Sequence, residues 1–330
     1  MSSSGSILIT GGAGYVGSHV ANALKATSRR FIVVDNLSTG YLENIPNVPF
    51  VQADIHDKER LTNIIRAEKI NAIMHFAAST IISDSIQRPL DYYQNNTVGT
   101  LNLLEVSVSE KIKHFIFSST AAVYGPSKQN IAENAPLVPT NPYGYSKIMS
   151  EQIVKDVAKT GALQFVILRY FNVAGASMDG KIGQRTENAT HLLKVAVETA
   201  CGLRTTLPIY GNDYPTSDGT CVRDFIHVDD LASAHIQALH YLENQGESVI
   251  LNCGYGKGYS VQEVITALEN ISQQTLPVAI KERRQGDIAQ VVADNTLIKK
   301  TLNWHPQYDD IHLIVKSAYE WEQNLHPFQK

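Results

Sequence analysis

The sequence predicts an α/β fold: a doubly wound parallel sheet covered by helices on both faces, with a smaller α/β lobe interleaved into its C-terminal half. Three observations carry this. A short apolar run at residues 7–9 leads through a glycine-rich turn into helical spacing at Val16, Val20, Ala23 and Leu24. Apolar bursts then alternate with amphipathic segments to about residue 173, as a sheet buried on both faces requires. Beyond Asn172 the alternation loosens into polar loops. A helical segment at 228–242 nevertheless precedes another apolar run at 249–252, and so returns to the main sheet. The expected division is a first domain over 1–173, joined by about 226–254, and a second lobe over 174–330.

In chain order, the first turn reads Gly11-Gly12-Ala13-Gly14-Tyr15-Val16-Gly17. Its spacing fits either Gly12-x-Gly14-x-x-Gly17 or Gly11-x-x-Gly14-x-x-Gly17. Glycines at 11, 14 and 17 let a backbone pass close to a pyrophosphate, and the open amides of the first helical turn, at Tyr15 and Val16, would point at it. A second strand at 31–34 ends at Asp35, about 20 residues past the glycines, where a carboxylate accepts both hydroxyls of an adenosine ribose. An acid there repels a 2′-phosphate, which favours NAD over NADP. Arg29 and Arg30 precede this strand and belong at its opposite end. The alternative for Asp35 is a turn-forming acid before Asn36. A third strand at 50–52 ends at Asp54 and Ile55, and a fourth at 72–78 ends in Phe76, Ala77 and Ala78. Those ends suit an adenine contact and a close backbone approach; an ordinary loop is the other reading. Helices are expected at 58–68 and from about Asp91, the latter burying Leu101, Leu104 and Val108.

A fifth strand at 114–118 runs into the hydroxyl cluster Ser118-Ser119-Thr120, and a sixth covers 164–169. Between them, Pro142 starts a helix that places Tyr143 and Lys147 one turn apart on one face. An ammonium near a phenol stabilises the phenolate and lowers a pKa that is ordinarily about 10, which suits a general base. Further on, a strand is expected at 205–210, a capping box at Ser260 and Glu263, and an amphipathic helix at 311–325.

Composition excludes other classes. Of 330 residues, 43% are hydrophobic and 18% charged, the balance of a folded globule. A net charge of −4 without a basic run argues against nucleic-acid and acidic-membrane partners. No apolar run approaches the ~20 residues that span a bilayer. Cys201, Cys221 and Cys253 lack metal spacing and read as core, as His19, His75, His227 and His235 read as structural. The N-terminus has no basic stretch followed by an apolar core, so a cytoplasmic protein is expected.

The glycine loop, Asp35, the Ser118-Ser119-Thr120 strand end and Tyr143-x-x-x-Lys147 together resemble the extended short-chain dehydrogenase/reductase family, whose fold is of Rossmann type. Within it, His75-Phe76-Ala77-Ala78, Asn95-Asn96, Arg169-Tyr170-Phe171-Asn172, Gly211-Asn212-Asp213-Tyr214-Pro215-Thr216 and Val222-Arg223-Asp224 are similar to the UDP-glucose 4-epimerases, in order along nearly the whole chain. The resemblance implies an NAD-dependent isomerase of galactose metabolism. Such an enzyme interconverts UDP-glucose and UDP-galactose through a transient 4-keto sugar and bound NADH. It implies Tyr143 as the base at the sugar 4-hydroxyl, Thr120 as its proton relay, and Lys147 on the nicotinamide ribose. Asn95, Ser118, Tyr170 and Phe171 would complete the cofactor pocket.

For the substrate, the resemblance implies Arg223 and Arg284 at the diphosphate, Asp287 at the uridine ribose and Asn172 at a phosphate or sugar. Leu192, Ile209, Tyr210, Phe225 and Val261 would line the uridine pocket. His191 stands where the family often has asparagine, and Thr80 where some members have lysine. Val291 matches a wall position where a tyrosine excludes N-acetylated sugars and a small residue admits them, valine being intermediate and nearer the small end. Ala121 and Ala122 follow Thr120, where related dehydratases carry an acid pair, so elimination chemistry is not expected. A homodimer through the helices around 91–110 and 143–160 is the family's usual state. A 4-epimerase for another UDP sugar, or a non-catalytic NAD- or nucleotide-sugar-binding regulator, are the competing readings. No metal is expected.

Overall fold

A computed structural model describes residues 5–326 apart from 126, 128, 188 and 285. Asn188, at the end of the polar loop after Asn172, and Gln285, beside Arg284, therefore lie outside the described residues. Strands β1 (Ser6–Thr10), β2 (Phe31–Asp35), β3 (Phe50–Gln52), β4 (Ile70–His75), β5 (His114–Thr120) and β6 (Gln164–Tyr170) alternate with helices α1 (Tyr15–Lys25), α2 (Lys58–Glu68), α3 (Ile82–Gln87), α4 (Pro89–Tyr92), α5 (Gly99–Ser109) and α6 (Pro142–Lys159). After them come β7 (Asn172–Ala174), α7 (Leu192–Ala200), β8 (Leu207–Tyr210), β9 (Val222–Arg223), β10 (Phe225–His227), α8 (Val228–Glu243) and β11 (Val249–Cys253). The chain ends with β12 (Tyr259–Ser260), α9 (Val261–Ser272), β13 (Val278–Lys281), β14 (Gln290–Val291), α10 (Thr296–Leu302) and α11 (Ile311–Leu325).

The central sheet has the order β3-β2-β1-β4-β5-β6-β11 and every pairing in it is parallel. Its order reverses between β1 and β4, and ligands of such sheets bind outside the strand ends at that switch. Alternate side chains serve opposite faces. Leu8, Ile73, Phe115, Phe117 and Ile167 pack under α2, α5 and α6. Ile7, Ile9, Met74, Ile116 and Leu168 face α1 and α8, in a core that continues without a break through Trp304 into α7, α9 and α11. Three smaller sheets complete the second half: β7 with β10, β8 with β13, and β12-β9-β14.

Several expected elements shift. β4 ends at His75, and Phe76 to Ala78 form a loop, because the chain must leave the sheet to pack its backbone on Gly11. The helix expected from Asp91 begins at Pro89 and passes through a π-helical turn, Tyr93–Val98, before α5. That turn lets the Asn96 side chain reach inward, to the backbone of Ser79 and the Ser146 hydroxyl. Leu101 and Val108 are exposed, not buried: α5 turns Leu103, Leu104 and Val106 to the core instead. The strand expected at 205–210 begins two residues later, at Leu207. The capping box on α9 forms, and α11 spans the expected residues. All three cysteines are buried and free.

One polar cluster crosses the core. Arg169 on β6 makes a bidentate pair with Glu151 on α6, at 2.9 and 2.6 Å, with side chains 2% and 1% exposed. Ser119 on β5 donates to the same carboxylate, and the Arg169 guanidinium also reaches Tyr124 at 2.8 Å. Glu151→Ala leaves the guanidinium buried without its anion, so a loss of about 3–5 kcal/mol is expected in urea melts. Replacing both residues by leucine should recover much of it, because no charge is then desolvated. Equal losses in the single and double variants would show that the pair, not the stranded charge, supplies the stability.

Candidate active site

A single cavity of about 1090 Å³ runs along the C-terminal ends of the central strands, from the glycine loop to the β9–β14 pair. The glycine loop forms one end by having no side chains. Gly11 holds φ +70°, and a Cβ there would sit 2.4 Å from the Ala77 amide nitrogen. A Cβ on Gly17 would lie 2.4 Å from the Gly11 carbonyl oxygen. Gly12 packs against the Val33 side chain on β2, so it shapes the turn's underside. Gly14 precedes α1, whose N-terminus has no side-chain cap, and Gly14, Tyr15, Val16 and Gly17 all line the cavity. Free amides on a Cβ-free cradle fit a pyrophosphate.

Asp35, at the end of β2, accepts from the amides of Ala13 (3.0 Å) and Leu37 (2.8 Å). Burial raises its pKa against those two hydrogen bonds. Asn36 and Ile55 also line the wall, as do Phe76, Ala77, Ala78 and Asn95. Asp54 does not. Its carboxylate is taken by the Asn36 amide at 2.8 Å and by the backbone and ring of His56. The cavity, the open helix end and the acid at the end of β2 together fit a dinucleotide.

The middle of the cavity is built by β5, β6 and α6. Asn141 caps α6 by accepting from the Gly144 amide at 2.9 Å, and Pro142 opens the helix. Tyr143 and Lys147 then face the ends of β5 and β6. Thr120 lines the cavity beside Tyr143, and its hydroxyl oxygen accepts from the Ala122 amide at 3.1 Å. Lys147 donates to the Ser118 carbonyl at 2.9 Å and stands 4.9 Å from the centre of the Phe117 ring. The expected lowering of Tyr143 by Lys147 is not found. Burial pushes the phenol up to about 12, with Thr120 pulling the other way. Burial pushes Lys147 down to about 8, opposed by the Glu151 carboxylate one turn along α6. Desolvation is the larger influence on the phenol and outweighs the one group that opposes it.

The neighbouring histidines brace this region. Tyr170 donates to His235 Nε2 at 2.5 Å, whose Nδ1 donates to the Leu231 carbonyl, and the His235 ring lies 4.8 Å from that of Phe76. His75 is wedged between the Thr10 and Thr100 hydroxyls. Burial, reinforced by Lys147, lowers its pKa to about 3. Phe171 and Asn172 follow on toward the far end.

That far end comes from five separate stretches. Arg284 lies 3.7 Å over the Tyr210 ring, and Arg223 is held by the carbonyls of Val222 (2.9 Å) and Ile288 (2.7 Å), with Asp287 at 3.8 Å. Two arginines facing one cavity suit a diphosphate. Leu192, Ile209, Phe225 and Val261 supply apolar wall, and Val291 pairs in register with Arg223. His191 lines the cavity with its side chain exposed, and desolvation followed by the charge of Arg284 lowers its pKa. Ser38, Thr39, Gln184 and Thr186 also line the wall. Sequence reasoning missed these four because they sit in loops without periodicity, and only folding brings them to the groove. No group of three or more His, Cys, Asp or Glu among the described residues is placed to hold a metal.

Lys147 yields a stability prediction whose sign follows from burial. Its folded pKa of about 8 lies below the ordinary 10.5, so the fold disfavours the charged form. The penalty is full below about pH 8 and disappears above about 10.5. Lys147→Met should therefore be more stable than wild type at pH 7, by ~1–2 kcal/mol after the lost Ser118 hydrogen bond, and less stable at pH 11. Urea melts at the two pH values check this, and a destabilised variant at pH 7 would contradict it.

Comparison with known proteins places this geometry. Residues 7–254 match the NAD dependent epimerase/dehydratase family. UDP-glucose 4-epimerase of Azospirillum brasilense is 49% identical over 97% of this chain and 92% of its own. The crystal structure of UDP-glucose 4-epimerase from Brucella ovis in complex with NAD superposes with a TM-score of 0.93 at 39% identity, covering 96% of this chain and 98% of that one. The UDP-Glc/GlcNAc 4-epimerase of Campylobacter jejuni does so with a TM-score of 0.86 at 46% identity, covering 97% and 100%. The matched segment runs from Ile7 in β1 past the end of β11, and the chain belongs to the NAD dependent epimerase/dehydratase family.

Proposed function

We propose that this protein is a UDP-glucose 4-epimerase, an isomerase that interconverts UDP-glucose and UDP-galactose with bound NAD. The observation that carries this is one cavity that brings Thr120, Tyr143 and Lys147 between an amide-lined dinucleotide cradle and a pair of arginines. Relatives at 49% identity bear that name over nearly the whole chain. Residues 1–173, with 226–254, hold the cofactor; the lobe over 174–330 holds the nucleotide sugar.

In this reading Gly11, Gly14 and Gly17 carry the pyrophosphate, Asp35 the adenosine ribose, and Lys147 the nicotinamide ribose. NAD, when bound, supplies the acceptor and later the donor of the hydride at sugar carbon 4. Tyr143 takes the 4-hydroxyl proton, and Thr120, lining the same cavity, relays it. Arg223 and Arg284 grip the diphosphate, Asp287 the uridine ribose, and Asn172 the phosphate or sugar. Because the charged grip is on the diphosphate, the 4-keto sugar can turn while UDP stays anchored. Tyr143 then returns the proton. Ala121 and Ala122 beside Thr120 carry no proton, which opposes elimination. A regulator that only binds would not need the proton-transfer pair Thr120 and Tyr143.

Exposed Leu101 and Val108 on α5, with Tyr145 and Met149 on α6, give two helices an apolar outer face that suits a homodimer. No helix among the described residues is long and apolar enough to cross a membrane. A cytoplasmic role in galactose metabolism completes the proposal.

The deciding experiment incubates purified protein with UDP-galactose without added NAD and separates the 4-epimers. Wild type should equilibrate them. Tyr143→Phe should keep its NAD absorbance and lose at least about 10²-fold in turnover; retained turnover would refute the assigned base. Substrate breadth is read at Val291, a half-buried valine on β14. A relative at 46% identity is named for both Glc and GlcNAc substrates, which favours a wider range here too. Some conversion of UDP-GlcNAc is expected, and Val291→Tyr should remove it while leaving UDP-galactose conversion intact. A preparation active on UDP-galactose alone would exclude the wider range.

A further inference from the structure

The chain between β7 and α7 crosses from the second lobe back over the glycine loop, and it is fastened on both sides. At its start, the Tyr15 hydroxyl from the first turn of α1 donates to the Gly175 carbonyl at 2.6 Å. Close by, Asp229 accepts from the Met178 amide at 3.1 Å and pairs with His19 of α1 at 2.6 Å. At its other side, the Arg185 guanidinium donates to the Asn44 side-chain oxygen at 2.9 Å. Asn44 is buried, and its amide donates in turn to the Ala13 carbonyl inside the glycine turn, at 3.3 Å. Tyr41, whose own amide donates to the same Ala13 carbonyl, donates through its hydroxyl to Glu187 at 3.2 Å. Between the fastenings, Gln184 and Thr186 line the cavity.

The segment is also held from behind. The Trp321 indole on α11 donates to the Gln184 carbonyl at 3.3 Å, and the Arg185 guanidinium lies 5.2 Å over the same ring. Gly183 packs so closely that a Cβ there would meet the indole at 2.6 Å. The strap is thus rigid on the substrate-lobe side and joined to the dinucleotide side by a few hydrogen bonds.

We propose that residues 175–187 form a clasp that retains the dinucleotide from one turnover to the next, with Arg185, acting through Asn44, as its catch. This rests on the reading of the groove as an NAD site. A pyrophosphate on the glycine loop lies under the strap, so the cofactor leaves only when the strap lifts from Ala13 and its neighbours. The catch is the part made to open: Arg185 is half-buried and Glu187 exposed, whereas on the other side His19 of the Asp229 pair is buried in the core beside a half-buried Tyr15. Arg185 is a positioning residue, since it stabilises the closed strap without a role in proton transfer.

The test reads cofactor exchange, not turnover. Wild type, R185A and Tyr41→Phe are purified, chased with excess isotope-labelled NAD, and the bound pool is followed by mass spectrometry after acid release. Loss of a charge-assisted hydrogen bond should make R185A exchange at least about tenfold faster, and Tyr41→Phe should exchange a few-fold faster. Thermal melts accompany the chase. If R185A melts early, Tyr41→Phe decides, because removing one hydroxyl at the surface leaves the core intact. Wild-type exchange rates in both variants would overturn the clasp and leave the NAD reading standing. A wild-type protein that takes up no NAD would overturn that reading, and the clasp with it.

Discussion

The reacting groups stand where they do because a bidentate ion pair, Arg169 with Glu151, is closed off from water between α6, β5 and β6. Each member sits beside a residue assigned to the site. Glu151 is one helical turn beyond Lys147, Ser119 separates Ser118 from Thr120, and Arg169 precedes Tyr170. The pair therefore fixes the register of α6 against two strand ends at once. A hydrophobic contact would hold the same elements together, but it could slide; a two-toothed guanidinium–carboxylate bond has one geometry. The carboxylate also offsets part of the cost of burying Lys147.

Burial sets the chemistry of the middle of the cavity in two directions. Taking Tyr143 out of water holds it as a phenol, and taking Lys147 out of water loosens its proton. Both follow from a low-dielectric site, and together they drive apart two proton affinities that are nearly equal in water, to about 12 for Tyr143 and about 8 for Lys147. The Thr120 hydroxyl is the polar contact that pulls the phenol back toward ionisation. In the proposed reaction Tyr143 and Thr120 form the proton-handling unit, and Lys147 directs its ammonium at the Ser118 carbonyl near the end of β5.

The two ends of the cavity grip by opposite means. At the glycine loop the fit comes from atoms that are missing, because a Cβ at Gly11 or Gly17 would collide with backbone. At the other end it comes from long side chains, Arg223 and Arg284, each braced by carbonyls or an aromatic face. A backbone cradle has little freedom to adapt, and suits a group that stays. Guanidinium side chains can shift, and suit a group that comes and goes while its sugar turns.

Much of this was legible in the chain. Gly11 to Gly17, Asp35, and the spacing of Tyr143 and Lys147 are local patterns, and backbone sterics and helical geometry alone give them meaning. The alternation of strand and helix likewise determined the parallel sheet, since buried strands need apolar runs and crossovers need helices. What stayed hidden depends on how elements rotate and meet. Leu101 and Val108 obey helical spacing, yet α5 turns another face inward. Asp54 ends its strand as a ligand would, yet Asn36 and His56 claim its carboxylate. The i, i+4 spacing put an ammonium near a phenol but could not say that Ser118 would take it. The sequence by itself determined the elements and the chemical groups at their ends; the tertiary structure alone decided which partners those groups found, because desolvation and hydrogen bonding act between residues far apart in the chain.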